Sequence, residues 1–527
     1  MTTTGERLIQ LLDAYGIEIA SGIPGTHNIE LYRGLPDTGI RHITPRHEQG
    51  AGFLADGYAR VSGKPALCIT ISGPGALNIA TPMCQALADS VPMLVISADN
   101  KTYQRGLGEG RLHETPDLGA VMNECSRWSH VLARPDELPR VLARAFSIFR
   151  SERPGPVHLT IPLDVITASA EHVDPEPWET PLPPVPHPDG IGRAADLLND
   201  ARTPVIALGG GAANAAGLCV ALAEKLDAPV TTTHNAKGIL PRSHPLHVGS
   251  SPAQDAIQDL YEQADVVLAV GTELGETDYD FFFKEYARMS RCLIRIDIDP
   301  RQFSRNQRPA VAILGDSRQS LEALEPLVHA RGIGTGGGRT AAVRAELAKT
   351  DHAGYAALFE SLHRALPDHI LVGDSTQPTY YAAFQYDATA PRSFAASSTG
   401  YGTLGFALPA ALGAKLACPD RPVVALAGDG GFQYTLNELS TAVEARIPVT
   451  VLLWHNHGYG EIAANFSGAG MDPVACDIHS PDFLGLARAY GCGAVRVESH
   501  AALESALADA RGSDVPTLIE LPEEKFL

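Results

Sequence analysis

Charge and aromatic side chains are both scarce in this chain. Only 19% of its 527 residues are charged and 6% are aromatic, while 44% are apolar. That balance excludes disorder as the main state and lets each domain bury a core. Basic residues are the scarcer sign. Lys and Arg number 41 against 61 Asp and Glu, a net charge of −20, which excludes nucleic acid and anionic membrane surfaces as natural partners. A cationic substrate is compatible with this charge, although solubility alone accounts for it. The eight cysteines (68, 84, 125, 219, 292, 418, 476 and 492) form no CxxC pair. Neither a disulfide framework nor a zinc site is expected, and a reduced, cytoplasmic setting is. No basic-then-apolar signal opens the chain at MTTTGERLIQ. Long unbroken apolar runs are missing too. The uncharged stretches Pro204–Ala223 and Ser393–Ala414 are interrupted by Gly, Asn, Ser or Pro, so no membrane span is expected.

What is present is a threefold organisation. A proline-rich segment, DPEPWETPLPPVPHPDG (174–190), is expected to be a stiff extended linker. A glycine-rich one, RGIGTGGGR (331–339), is expected to be flexible. Three segments result, at 1–170, 190–330 and 345–527, against a prior of about 150 residues per domain. Each alternates short apolar runs with helical spacing: ALCITI and MLVISA in the first, PVIALG, ADVVLAVG and CLIRIDID in the second, HILVGD, PVVALAGDG and PVTVLLWHN in the third. Continuous apolar runs of this length suit buried parallel strands. The expected fold class is α/β, with three consecutive open, mainly parallel α/β domains. Ligands in such sheets sit at the carboxyl ends of strands.

The strongest chemical signal is in the third segment. One strand ends in Gly428-Asp429-Gly430-Gly431 and leads into a helix; the next ends at Asn456, 27 positions beyond Asp429. Two adjacent parallel strands joined by a helix need about this spacing, so both ends can converge. An Asp carboxylate, an Asn amide oxygen and a nearby carbonyl are hard ligands suited to Mg²⁺, which usually retains phosphate in its shell. Gly430 and Gly431 let the backbone approach a diphosphate at a helix N-terminus. A GDG turn alone is common; GDG followed by Asn at this distance is much more specific.

This GDG…N segment resembles the thiamine-diphosphate-binding motif of the acetolactate synthase, benzoylformate decarboxylase and pyruvate decarboxylase superfamily. The resemblance extends to Gly22-Ile23-Pro24-Gly25, RHEQGAGFLADGYAR (46–60), ISGPGALN (71–78), DSVPMLVISA (89–98), RIDIDP and GTLGFALPAALGA (402–414). It implies pyrimidine-binding, central and diphosphate-binding domains in that order, and active sites built from two chains, so a homodimer at minimum and commonly a homotetramer. It assigns Asp429, Asn456 and the Gly458 carbonyl to the metal. Glu48 becomes the acid that protonates N1′ of the aminopyrimidine and so promotes loss of the thiazolium C2 proton. Leu404, in the turn starting at Gly402, would prop the cofactor into a bent shape. Thr376, Gln377, Gly430, Gly431 and Tyr459 complete the cofactor contacts. Where relatives often have two asparagines this chain has His455-Asn456, and His455 reads as a satisfied core histidine.

The implied reaction is decarboxylation of a 2-oxo acid, followed by protonation to an aldehyde or attack on a second carbonyl. Gly209-Gly210-Gly211-Ala212-Ala213-Asn214 begins like a dinucleotide loop but has Asn at the third glycine. Flavin-using relatives tend to carry an Arg-Phe-Asp-Asp-Arg run where this chain has Thr272 to Asp278. The central segment therefore reads as a spacer without flavin or nicotinamide. Proton-transfer candidates are Thr26, His27 and His113, a histidine being able to donate near neutral pH. Ile71 stands where benzoylformate decarboxylase has a catalytic histidine. GIPGTHNIELYRGL, ITPRHEQGAGF and GEGRLHE are similar to 5-guanidino-2-oxopentanoate decarboxylase-like members. That likeness implies a guanidino tail, for which Asp278 and Glu461 are candidate carboxylate partners. The competing expectations are a flavin-independent, acetolactate-synthase-like carboligase and a non-catalytic member of the fold.

Overall fold

A computed structural model describes residues 2–249, 251–280, 284, 288–332, 334–349 and 353–527. Three parallel sheets account for its strands. The first comprises β1 (Ile19–Gly22), β2 (Arg41–Ile43), β3 (Ala66–Thr70), β4 (Met93–Asp99), β5 (Trp128–Val131) and β6 (Pro156–Pro162), in the order β2-β1-β3-β4-β6-β5. The second comprises β7 (Val205–Leu208), β8 (Val230–Thr232), β9 (Val267–Val270), β10 (Leu293–Asp297) and β11 (Val311–Leu314), in the order β11-β10-β9-β7-β8. The third comprises β12 (Ile370–Gly373), β13 (Phe394–Ala396), β14 (Val423–Gly428), β15 (Thr450–His455), β16 (Gly493–Arg496) and β17 (Thr517–Pro522). Its order, β13-β12-β14-β15-β17-β16, repeats that of the first sheet. The expected α/β class with three parallel sheets is thus what the chain adopts.

The apolar runs recognised in the sequence are the inner strands. Every residue of β3, β4 and β6 is buried, whereas the edge strands β2, β5, β11 and β16 are partly exposed. A strand covered by helices on both faces is mostly apolar, with its few polar residues, such as Ser97 and Asp99 in β4 and His158 and Thr160 in β6, buried as well; an edge strand can expose its polar residues.

The chain divides into two compact units. One contains Met1–Pro181, Gly400–Arg496 and Asp509–Glu520. Its first core joins Leu8, Leu12, Leu67, Ile69, Leu94 and Ile96. Within this unit the helix Glu48–Ser62 crosses the helix Ala407–Ala417 in near backbone contact. A Cβ on Gly57 would lie 1.9 Å from the Ala410 carbonyl oxygen, and one on Gly413 1.9 Å from that of Leu54. Arg60, on the same helix, pairs with Asp56 and Asp89, all three side chains being buried.

The other unit contains Leu182–Thr399, Val497–Ala508 and Leu521–Leu527. The second sheet packs there around Ile206, Leu208, Leu268, Val270, Ile294 and Ile296. The proline-rich segment carries neither helix nor strand from Asp174 to His187, but its last residues open the helix Pro188–Asp200, with proline at the helix start. The flexible glycine-rich linker is corrected. Gly336 begins a helix to Leu347; the Asp227 carboxylate accepts the Gly334 and Gly336 N–H groups at 3.0 and 2.8 Å, and Val343 and Leu347 pack against the Val205–Tyr261 cluster. Tertiary capping and burial offset the poor helix propensity of glycine. Among the described residues no helix is long and apolar enough to cross a membrane, and the eight cysteines are free thiols.

Candidate active site

In the first unit, two groups of expected residues form at strand ends. Glu48 is buried as the first residue of its helix. Asn78 Nδ2 donates to Glu48 Oε2 at 3.0 Å. Gly75 lies so close that a Cβ there would stand 3.0 Å from Glu48 Oε1 and 2.8 Å from Ile71 Cγ2. Ile71 in turn abuts Gly25, where a Cβ would meet its Cδ1 at 2.4 Å. Glu48, Ile71 and the Gly22–Gly25 turn are therefore neighbours, as the motifs implied. The small residues of the motif are explained by this crowding.

The proton-transfer candidates border the same place. His27 is buried, its Nδ1 2.7 Å from Ser72 Oγ, and its ring meets that of His113 edge-on at 5.3 Å. Burial and the neighbouring His113 lower the His27 pKa below the ordinary imidazole value, against the opposing pull of Asp99. His113 has a left-handed φ of 59°, and its carbonyl oxygen lies 2.7 Å from where a Cβ on Gly73 would be. Its Nδ1 is buried with no hydrogen-bond partner among the described residues. Its loop is tied down by Asn100 Nδ2 donating to the Leu112 carbonyl at 3.3 Å and by Arg105 pairing with Asp99 at 2.7 Å. Thr26 is exposed beside Gly25.

The second group gathers at the ends of β14 and β15. Asp429 is fully buried; its Oδ2 accepts from Ser480 Oγ at 2.9 Å and lies 3.9 Å from His455 Nε2. Gly430 faces the Tyr459 ring, where a Cβ would intrude to 2.8 Å. The Tyr459 N–H donates to the Cys476 carbonyl at 2.9 Å, and Gly458 bridges to Asp477. Gly431 is buried and Asn456 half-buried. Gly402 has φ 72°, and Leu404, between the buried Thr403 and Gly405, is itself only half-buried. The donor set here is oxygen-rich, with a buried carboxylate, an amide and a carbonyl at adjacent strand ends. Gly430 and Gly431 follow the carboxylate directly in the chain. This set fits a hard divalent cation carrying a diphosphate.

His455 differs from its expectation as a satisfied core histidine. Its Nδ1 lies 2.5 Å from Glu520 Oε1, but its buried Nε2 has no hydrogen-bond partner among the described residues. Glu520 is also held by Arg496 through two bonds of 2.9 Å. Burial pushes the Glu520 carboxyl up, but the bonds from Arg496 and His455 prevail and keep it below the usual range. Glu461 is in the first turn of the helix Gly460–Gly468, half-buried, and takes part in no ion pair among the described residues.

The remaining expected residues belong to the second unit. Thr376 is buried as the residue before the helix Gln377–Gln385, just beyond β12. Asp278 is not a free carboxylate: its Oδ1 accepts from the His234 backbone N–H at 3.0 Å and lies 2.6 Å from His234 Nδ1. Expected as a carboxylate partner for a guanidino tail, Asp278 has an internal partner in His234. The glycines after β7 serve close packing, since a Cβ on Gly209 would lie 2.1 Å from the Gly271 carbonyl oxygen.

Ser72 and Asn78 lie in the ISGPGALN run, but the sequence assigns them no contact; Ser480 and Glu520 are polar residues distant in the chain from the groups they touch, and no local pattern announces them.

Three segments match the thiamine pyrophosphate enzyme family: residues 2–121 its N-terminal TPP binding domain, 191–324 its central domain, and 374–521 its C-terminal TPP binding domain. Among curated proteins, the chain is 45% identical to the probable 2-ketoarginine decarboxylase AruI of Pseudomonas aeruginosa, covering 98% of this chain and 94% of that one. It is 35% identical to the acetolactate synthase isozyme 1 large subunit of Escherichia coli, over 87% of this chain and 82% of that one. It is 32% identical to the probable acetolactate synthase large subunit of Methanocaldococcus jannaschii, over 98% and 91%. With matching models along most of its length and relatives of this similarity, the chain belongs to the thiamine pyrophosphate enzymes.

Proposed function

We propose that this enzyme decarboxylates a 2-oxo acid to an aldehyde without net oxidation, using thiamine diphosphate and Mg²⁺, and that its substrate carries a guanidino tail, as 5-guanidino-2-oxopentanoate does. The observation that carries the reading is the 45% identity, across nearly the whole chain, to a probable 2-ketoarginine decarboxylase. The site supports it in two ways. A buried carboxyl, Glu48, is available to an aminopyrimidine nitrogen, and an oxygen donor set is available to a hard cation at Asp429, Asn456 and Gly458.

When bound, thiamine diphosphate supplies the nucleophilic carbon and takes up the electrons released as carbon dioxide leaves. The protein's part is to bind, activate and exclude. Glu48 holds a proton at N1′. Gly430, Gly431 and Tyr459 line the diphosphate side, and Gly402 and Leu404 shape the cofactor seat. His27, its Nδ1 oriented by Ser72, and His113 stand beside Glu48 and Ile71 as the proton donors for the aldehyde carbon, with Thr26 at the rim. Glu461, without an ion pair among the described residues, is the better partner for a guanidinium; Asp278 is engaged by His234. A homodimer or homotetramer is the working assembly.

The test is a panel of 2-oxo acids with apolar, acidic and guanidino tails, assayed with thiamine diphosphate and Mg²⁺. The guanidino acid should be turned over best, with equal amounts of carbon dioxide and aldehyde. The likeness to acetolactate synthases keeps carboligation as the second reading: carbon dioxide with a 2-hydroxy ketone in place of aldehyde would establish it. Preference for apolar tails would remove the guanidino assignment.

A further inference from the structure

The turn that opens the Glu48 helix is clamped by a distant carboxylate. Glu438 begins the helix Glu438–Glu444 and is 1% exposed. The Arg46 backbone N–H points at both of its oxygens, at 3.1 and 3.2 Å, and the His47 backbone N–H also donates to it. Thr441 Oγ1 donates at 2.6 Å. On the other side of Glu48 in sequence, Gly50 leaves room for the same group, since a Cβ there would lie 2.2 Å from Glu438 Oε1. Arg46 is tied to the same short helix twice more, through Ser440 Oγ at 3.2 Å and an ion pair with Glu444.

The first N–H groups of a helix lack partners within it, and a carboxylate is a strong acceptor for them. Burying a carboxylate is costly, so an apolar side chain would serve better if only space had to be filled. What a carboxylate adds is direction. Glu48 itself receives one side-chain hydrogen bond, from Asn78, so the orientation of its carboxyl depends on the backbone from which it starts.

We infer that Glu438 is a positioning residue for Glu48: by accepting the Arg46 and His47 N–H groups against Gly50, it sets the direction in which the Glu48 carboxyl leaves its helix. The inference rests on Glu48 being the acid that activates the cofactor. Misplacement of a reacting group by about 1 Å can cost on the order of 100-fold in rate, so a loosened turn should register in activation before it registers in binding.

Hydrogen–deuterium exchange at C2 of bound thiamine diphosphate, read by NMR after acid quench of the full-length protein with Mg²⁺, tests this directly. Glu438→Ala should slow exchange by about 10-fold or more. Glu438→Gln, which keeps one acceptor oxygen, should slow it less. Cofactor affinity should stay within about twofold in both, because the altered bond is to a turn and not to the ligand. If Glu438→Ala does not fold, the near-isosteric Glu438→Gln decides. Unchanged exchange in the folded variants overturns the inference, as does slowing matched by an equal loss of cofactor affinity. Glu48→Gln separates the two levels. If it leaves exchange intact, the role of Glu48 falls and this inference with it. If it alone slows exchange, only the role of Glu438 falls.

Discussion

The imidazole of His455 lies between two carboxylates and bonds to one: its Nδ1 is 2.5 Å from Glu520 Oε1, while its Nε2 stands 3.9 Å from Asp429 Oδ2. The buried end of β15 is thereby linked to β17 and, through Glu520, to Arg496 on β16. Groups behind a ligand orient it. An asparagine at this position could not span the same two carboxylates, so the substitution changes what stands behind Asp429 while leaving Asn456 intact.

Glu48→Gln should reduce turnover of the preferred 2-oxo acid by about 100-fold or more while the folded protein still binds thiamine diphosphate. Steady-state rates together with calorimetric cofactor titration check this. Activity within a factor of two of wild type would remove Glu48 from catalysis.

Asp429→Ala should abolish Mg²⁺-dependent cofactor binding, because the proposed oxygen donor set would lose its buried carboxylate. Wild type treated with a chelator should lose affinity and regain it with Mg²⁺; the variant should not respond. A variant that binds cofactor as wild type does would move the metal elsewhere.

Glu461→Gln should raise KM for a guanidino-tailed substrate by about 10-fold, the worth of a charge-assisted bond, and leave an apolar 2-oxo acid unaffected. Equal effects on both substrates would mean that Glu461 acts on the cofactor side.

Two buried carboxyls should titrate stability in opposite directions. Burial pushes Glu438 up to about 7 from an ordinary 4.5. Its contribution is therefore full below about 4.5 and lost as pH rises through about 7, on the order of 3 kcal/mol in all. Glu520 is held below the ordinary value, so its contribution is full above the unfolded value and lost as pH falls through the folded one. Urea midpoints of wild type, Glu438→Gln and Glu520→Gln from about pH 4 to about pH 8 should show gaps to wild type that move oppositely. Parallel curves would contradict both assignments.

Gly57→Ala and Gly413→Ala should each destabilise the fold by at least about 2 kcal/mol, since the new Cβ would meet a backbone carbonyl that cannot turn aside. Gly337→Ala, where nothing lies within 4 Å of the added carbon, is the control and should be neutral or slightly stabilising. Thermal midpoints distinguish these outcomes.

The inner strands β3, β4, β7, β9, β10, β12, β14 and β15 were legible as local apolar runs, whereas the inner strands β1, β6 and β17 were not. A doubly covered strand is mostly apolar, and a continuous apolar run of that length is visible without the fold. The edge strands β2, β5, β11 and β16 were not legible, because partial exposure lets polar residues in. The helix beginning at Gly336 was misjudged for a related reason: local propensity says flexible, and only Asp227 and the packing of Val343 and Leu347 say otherwise.

Residue types and spacings along the chain determined the groups it has to offer: a buried acid, oxygen donors at strand ends and glycines at close approaches. Tertiary structure alone decided who holds those groups in position. Glu438 at Arg46, Ser480 at Asp429 and Ser72 at His27 are contacts between residues 392, 51 and 45 positions apart. A hydrogen bond depends on where two groups lie in space, and at such separations the order of residues along the chain carries no record of it.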